Sequence, residues 1–187
     1  QGVWLKKYYF IRAAVSIAWI ALVLLVGLNN PTVGAILLIA YPAWDALANW
    51  LDAIKSGGLH VNRSQGLNLI ISIVTAIAVA ISSGISLNAV FTVFGIWAAL
   101  SGLLQLVTAV RRWKEAGAQW AMILSGAQSA LAGAFFIVMA QGAAPLDIGA
   151  IAGYAGFGAF YFLVSAIWLT VSEWRQRIDE YWFWDES

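Results

Sequence analysis

The chain alternates between long uncharged stretches and short segments that hold its few charges. No charged side chain occurs in residues 13–44 or 64–110, and only Asp147 interrupts residues 116–172. Polar turn-forming residues divide each stretch near its middle, as at residues 29–32 (NNPT). Each half therefore has about the 20 apolar residues that a helix needs to cross a bilayer.

This pattern predicts an all-α membrane protein with six transmembrane helices, which we place at residues 9–28, 33–54, 66–83, 88–110, 120–140 and 148–172. Successive helices form three repeated hairpins at residues 9–54, 66–110 and 120–172, followed by a short aromatic tail at 173–187. No polar linker is long enough to separate domains, so residues 1–187 are predicted to form a single polytopic membrane domain.

The basic residues predict the orientation of the helices. In this arrangement every Lys and Arg lies on one side of the bilayer: Lys6, Lys7, Arg12, Lys55, Arg63, Arg111, Arg112, Lys114, Arg175 and Arg177. Because cytoplasmic loops carry the excess of basic residues, both termini are predicted to be cytoplasmic. The aromatic residues at 181–184 are expected to lie along the membrane surface.

Composition supports a membrane location and excludes several kinds of chemistry. The 187 residues are 62% hydrophobic and 10% charged, against about 25% charged in a typical soluble domain. There is no cysteine for thiolate chemistry, and the single histidine, His60, is too few for a histidine metal cluster. We predict a protein that is not an enzyme, has no catalytic, cofactor-binding or metal-ligating residues, and has the lipid bilayer rather than a nucleic acid as its partner.

Helix two carries the carboxylates that lie well inside a predicted span. Asp45, Asn49 and Asp52 are spaced by four and three residues, so they share one helix face. An Asp at the centre of a membrane helix costs about 2.5–3.5 kcal/mol on insertion scales, so its side chain needs a compensating partner. Pro42, one turn earlier, leaves the carbonyl of Leu38 without its helical donor and predicts a kink.

Two interpretations of Asp45 remain open. In one, Asp45 takes up a proton or binds a cation inside a cavity, with Asn49 as a helper. In the other, Asp45 is hydrogen-bonded to a neighbouring helix and sets its register, so that Asp45→Asn leaves folding unchanged. Asp52 lies near the cytoplasmic interface, where Lys55 at the i+3 position is expected to neutralise it.

Helices four and five offer polar partners for this face. Gln105 shares a face of helix four with Trp97, Ser101 and Thr108, and Gln128 lies on helix five beside Ser129. If these faces meet helix two, they complete a candidate intramembrane polar site: Asp45, Asn49, Asp52, Gln105 and Gln128. The alternative is that the Gln and Ser side chains only join helices, at about 0.6–2 kcal/mol per hydrogen bond.

Small residues predict where helices approach closely. One stripe lies on helix five and one on helix six: Gly126, Ala130 and Gly133, then Gly149, Gly153 and Gly156. We expect both stripes to lie in helix contacts, so that a large side chain at Gly153 forces two backbones apart.

The hairpins repeat with a period of about 55 residues, and the repeat carries a family resemblance. Residues 94–112 (FGIWAALSGLLQLVTAVRR) resemble the closing helix of a repeat in the HdeD family. The next hairpin is similar at Trp120, at residues 124–126 (LSG), at residues 131–133 (LAG) and at Pro145.

The first hairpin departs from that family, because residues 41–45 (YPAWD) stand where the family has a Gly-rich apolar segment. The resemblance implies a small six-span protein of the bacterial inner membrane that is associated with acid resistance, without an implied reaction. We therefore expect a structural or stress-protective protein. Two alternatives stay open: a small proton or solute channel or transporter that uses Asp45, and an accessory subunit of a larger membrane complex. A homo-oligomer is compatible with each of the three.

Reporter fusions test the predicted orientation. Fusions at three basic positions should report the cytoplasm: Lys55, Lys114 and Arg177. Fusions at three turns should report the opposite side: Asn30, Gly84 and Gly142. A reversed result at any of these turns would contradict the six-span topology.

Overall fold

The computed structural model describes the backbone of residues 2–114 and 117–184 and the side chains of residues 3–114 and 117–176. Throughout this part of the chain the regular structure is helical: α1 (Gly2–Leu22), a π-helical turn that extends it (Val23–Gly27), α2 (Pro31–Lys55), α3 (Arg63–Ser83), α4 (Leu87–Arg111), α5 (Gln119–Gln141) and α6 (Gly149–Trp184). The six helices are long and apolar enough to cross a membrane, which confirms the predicted class of fold.

Two helices, α1 and α6, extend more than five residues beyond their predicted limits. Helix α1 begins at Gly2, so Arg12 lies in its third turn rather than in its first. Buried aromatic side chains explain the early start, since the ring of Tyr9 packs 6.0 Å from that of Phe162 on α6. At the other end α6 continues to Trp184. The side chains at 181–184 lie outside the described residues, so their placement on the membrane surface stays a prediction.

Local sequence explains where α2 and α4 begin. The side chain of Asn30 accepts a hydrogen bond from the Val33 amide at 3.1 Å, and Pro31 occupies the first turn of α2. Ser86 caps α4 in the same way, through the Ala89 amide at 3.1 Å. An Asn or Ser side chain at this position satisfies one of the free amides that every helix start leaves.

The helices form a closed ring. Among the described residues, each helix contacts its neighbours in sequence, and α6 returns to contact α1. The most extensive contacts join α4 to α5, α2 to α3 and α1 to α6, whereas α1–α2 and α5–α6 are looser. The closest packing therefore lies between successive predicted hairpins rather than within the first and third of them.

Glycines bring α4 and α5 into backbone contact. A Cβ atom on Gly133 would lie 2.5 Å from the Gly95 carbonyl oxygen, and one on Gly126 would lie 2.7 Å from the Gly102 carbonyl oxygen. On the α4 side, a Cβ atom on Gly95 or on Gly102 would come equally close to backbone atoms of α5. Seven residues separate the glycines on each helix, so the two antiparallel helices meet at both levels of the crossing.

The expectation for the α6 glycines is wrong at Gly153. This glycine is exposed, and a Cβ atom there would meet nothing within 4 Å. The buried small residues of α6 are instead alanines, among them Ala152, Ala155 and Ala159. Because residues three and four apart share a helix face, these alanines form the packed stripe and turn Gly153 outward.

Large apolar side chains cover the outside of the ring, and the buried positions hold both apolar and polar residues. Large apolar side chains are widely exposed on the outer surface, such as Leu25, Leu131 and Val138 at 76%, 73% and 67%. Buried inside are residues that soluble proteins usually leave in water, including Asp45, Asp52, Gln65 and Asn68. An apolar outer surface of this kind is what a bilayer environment requires.

The two classes of glycine make a paired test of the helix packing. Gly133→Leu should prevent α5 from docking on α4, because its side chain would overlap backbone atoms of α4. Gly153→Leu, the same change at a lipid-facing position, should leave thermal stability in detergent near that of the wild type. Unchanged stability of Gly133→Leu would contradict the α4–α5 contact described above, and a loss in Gly153→Leu would contradict the outward position of Gly153.

Candidate functional site: a polar cavity inside the ring

A cavity of about 100 Å³ lies at the centre of the ring. Side chains from each of the six helices line it, among them Arg12 of α1, Asp45 of α2, Asn68 of α3 and Tyr154 of α6. A polar cavity of this size has room for several water molecules. The ring therefore encloses a space with both polar and apolar walls, within a part of the chain that has the length and composition of membrane spans.

The structure places the five predicted site residues around this cavity: Asp45, Asn49, Asp52, Gln105 and Gln128. Gln105 also joins two helices, since its Nε2 donates to the Met122 carbonyl at 3.1 Å. Gln128 is half-buried, and its amide has no hydrogen-bond partner among the described residues.

Asp45 is an ion-pair partner rather than a free carboxylate. Its Oδ1 accepts a 2.6 Å hydrogen bond from Arg12 Nη2. Its Oδ2 accepts from Ser72 Oγ at 2.9 Å and from Asn49 Nδ2 at 3.0 Å, with Asn68 Nδ2 at 3.4 Å. Charge-assisted hydrogen bonds of this kind offset the cost of removing the carboxylate from water.

A second layer of hydrogen bonds extends from this pair to α4. Trp97 Nε1 donates to Ser72 Oγ at 2.9 Å, and Ser101 Oγ donates to Asn68 Oδ1 at 2.7 Å. One network thus joins α1, α2, α3 and α4 around Asp45. The polar faces of α2 and α4 are joined through α3, which lies between them and supplies the connecting groups.

Asp52 forms the corresponding pair nearer the connection between α2 and α3. Its Oδ2 accepts from Arg112 Nη1 at 2.9 Å and from Gln65 Nε2 at 3.1 Å. The expected partner, Lys55, is instead exposed, with its Nζ 5.8 Å from the centre of the Trp4 ring. Asp52 points into the bundle, and an arginine at the end of α4 reaches it there.

The sequence predicts both arginines only as orientation signals at the cytoplasmic side and predicts no site residue on α3. In the structure the side chains of Arg12 and Arg112 are largely buried, with 13% and 15% exposed. The α3 residues Gln65, Asn68 and Ser72 are spaced by three and four, as the α2 residues are. That spacing in an apolar segment is the signal that could have identified the α3 face.

The two ends of the cavity differ. We call the end formed by the α2–α3 and α4–α5 connections the basic end. There a hollow of about 240 Å³ adjoins the cavity and shares with it the lining residues Ser64, Gln65, Thr108 and Arg112. Toward the opposite end the ring is filled by packed apolar side chains, including Val23, Leu37, Phe91, Phe94, Phe136 and Ile151.

The fold and site define a class: a multi-pass helical membrane protein with a polar cavity that adjoins a hollow at the basic end and is closed at the other end. Residues 70–138 match the family described as a short repeat of unknown function (DUF308). This segment contains the whole of α4 and the glycines that pack α4 against α5. Searches of curated proteins and of solved structures found no match.

The geometry revises the expected effect of Asp45→Asn. The variant leaves the Arg12 guanidinium buried without its counter-charge, and breaking a buried pair in this way typically costs about 3–5 kcal/mol. We therefore expect a loss of about 3 kcal/mol in the free energy of unfolding, measured by denaturant titration in micelles. The matched control, Arg63→Gln, also removes a charge but at an exposed position, and should change little.

A double-mutant cycle identifies the cause of that loss. If the pair is responsible, Arg12→Gln combined with Asp45→Asn should be less destabilised than the sum of the two single variants. Additive losses would show that Asp45 acts independently of Arg12.

Proposed function

We propose that this protein is a non-enzymatic, HdeD-type stress protein of the bacterial inner membrane, and that it acts by binding a small polar solute in its central cavity. The observation that carries the proposal is the cavity itself, lined by polar side chains of each of the six helices. Polar groups are costly to bury in a membrane bundle, and where they occur they usually mark an interior functional site.

The hydrogen-bonding of the carboxylates supports binding rather than catalysis or proton relay. Asp45 and Asp52 each accept bonds on both oxygens and face an arginine. A general base or a proton carrier needs a carboxylate that can exchange a proton with its surroundings, and these two are held by fixed donors. Their role is to hold the cavity wall together.

The family match supports the HdeD-type assignment. HdeD proteins belong to the family whose repeat matches residues 70–138. The matched segment supplies the α4–α5 wall, including the cavity residues Gln105 and Gln128. A protective role during acid stress is the function that this resemblance implies.

A solute carrier is the second candidate. It is favoured by the asymmetry of the cavity, which adjoins a hollow at the basic end and stops at packed apolar residues toward the other. Alternating access requires a state of this shape, with a site that is accessible from one side. Movement of the packed apolar residues that fill the end opposite the basic end would distinguish a carrier from a binding protein.

A cavity-filling variant tests the proposed function. Ser125 lines the cavity and is 7% exposed, while the adjacent Leu124 is 49% exposed on the outer surface. At equal membrane abundance Ser125→Phe should abolish acid survival in a deletion strain, because its ring would occupy the cavity. Leu124→Phe should restore survival fully. Full survival with a folded Ser125→Phe protein would contradict a role for the cavity.

A further inference from the structure

The cavity has charged walls but no net charge. Among the described lining residues the charged ones are Arg12, Asp45, Asp52 and Arg112, which form two ion pairs at 2.6 and 2.9 Å. An ion that entered would lose its hydration shell and find no unpaired counter-charge. The walls therefore select against charged solutes.

The remaining polar lining groups are hydroxyls, amides and indoles. The Ser129 and Tyr154 hydroxyls lie 2.7 Å apart and line the cavity together with the half-buried Gln128. Such groups both donate and accept hydrogen bonds. They are suited to a ligand whose own groups do the same.

Three buried N–H groups on lining residues have no acceptor within the described part of the chain: Arg12 Nε, Trp44 Nε1 and Arg112 Nη2. No lining residue has a buried acceptor atom that is unsatisfied in the same way. These atoms have almost no surface facing the cavity, so the groups that do face it, such as Gln128, Ser129 and Tyr154, determine which ligand fits.

We propose that the ligand is a small uncharged polyol of about the size of glycerol. The inference rests on the proposed solute-binding function and names the chemical class of the solute. Hydroxyl groups both accept hydrogen bonds from the Gln128 amide nitrogen and donate to its carbonyl, and they match the Ser129 and Tyr154 hydroxyls in the same way. The cavity volume of about 100 Å³ accommodates a molecule of this size, and the net neutrality of the walls disfavours acids of the same size.

Binding of glycerol and glycerate tests this selectivity, because the two differ only in that a carboxylate replaces one hydroxymethyl group. Each is offered in radiolabelled form to the full-length protein in nanodiscs, and bound label is counted by scintillation proximity. Glycerol should bind at least about tenfold more tightly than glycerate, because the glycerate carboxylate would lose its hydration without gaining an unpaired counter-charge. Tighter binding of glycerate would overturn the inference and leave solute binding intact.

Variants of two glutamines on α5 locate the site. Gln128→Leu should weaken glycerol binding by about tenfold, since it removes an unengaged amide from the cavity. Gln141→Leu is the same substitution at an exposed position of α5 and should leave binding unchanged. Equal binding by both variants would overturn the inferred site.

A charge variant tests why acids are excluded. Asp45→Asn gives the cavity a net positive charge through Arg12, so the folded fraction should gain glycerate binding by about tenfold relative to glycerol. An unchanged preference in folded protein would overturn the argument from charge balance. If this variant does not fold, the comparison of glycerol with glycerate binding by the wild-type protein tests the inference by itself.

Absence of binding of both compounds to the wild type would overturn the polyol inference. In that case the acid-survival comparison of Ser125→Phe with Leu124→Phe separately decides whether the cavity has a function. The two proposals therefore fail on different results.

Discussion

The neutralisation of two carboxylates inside a membrane bundle is the constraint on which this structure depends. Asp45 and Asp52 lie on one face of α2, and each requires a positive partner from another helix. Arg12 from α1 and Arg112 from the end of α4 meet that need, so three helices are held in one arrangement. Because breaking either pair leaves a buried charge, the ring cannot easily rearrange at these positions.

The same constraint gives the bundle its polar interior. The two aspartates can accept more hydrogen bonds than the two arginines donate to them, and the α3 side chains Gln65, Asn68 and Ser72 supply further donors. Polar groups that are drawn inward in this way leave space between the helices rather than a dry core. The ends differ because apolar aromatic residues fill the ring toward the turns between α1 and α2 and between α3 and α4.

Helix packing divides the ring into rigid and looser parts. Glycines at Gly95, Gly102, Gly126 and Gly133 bring the α4 and α5 backbones together, and the matched repeat covers this pair. The contact between α5 and α6 is less extensive, although both helices line the cavity. The looser α5–α6 seam therefore lies beside the closely packed α4–α5 pair, with α5 common to both.

The sequence by itself determined the six spans, because sparse charges and turn residues divide the chain at lengths that a bilayer requires. It also identified the polar face of α2, since the spacing of Asp45, Asn49 and Asp52 depends only on helix geometry. It did not determine that Arg12 pairs with Asp45, that Arg112 replaces Lys55 as the partner of Asp52, or that Gly153 faces outward. Each of these depends on how one helix is rotated against another, and that rotation is decided by packing between segments far apart in the chain.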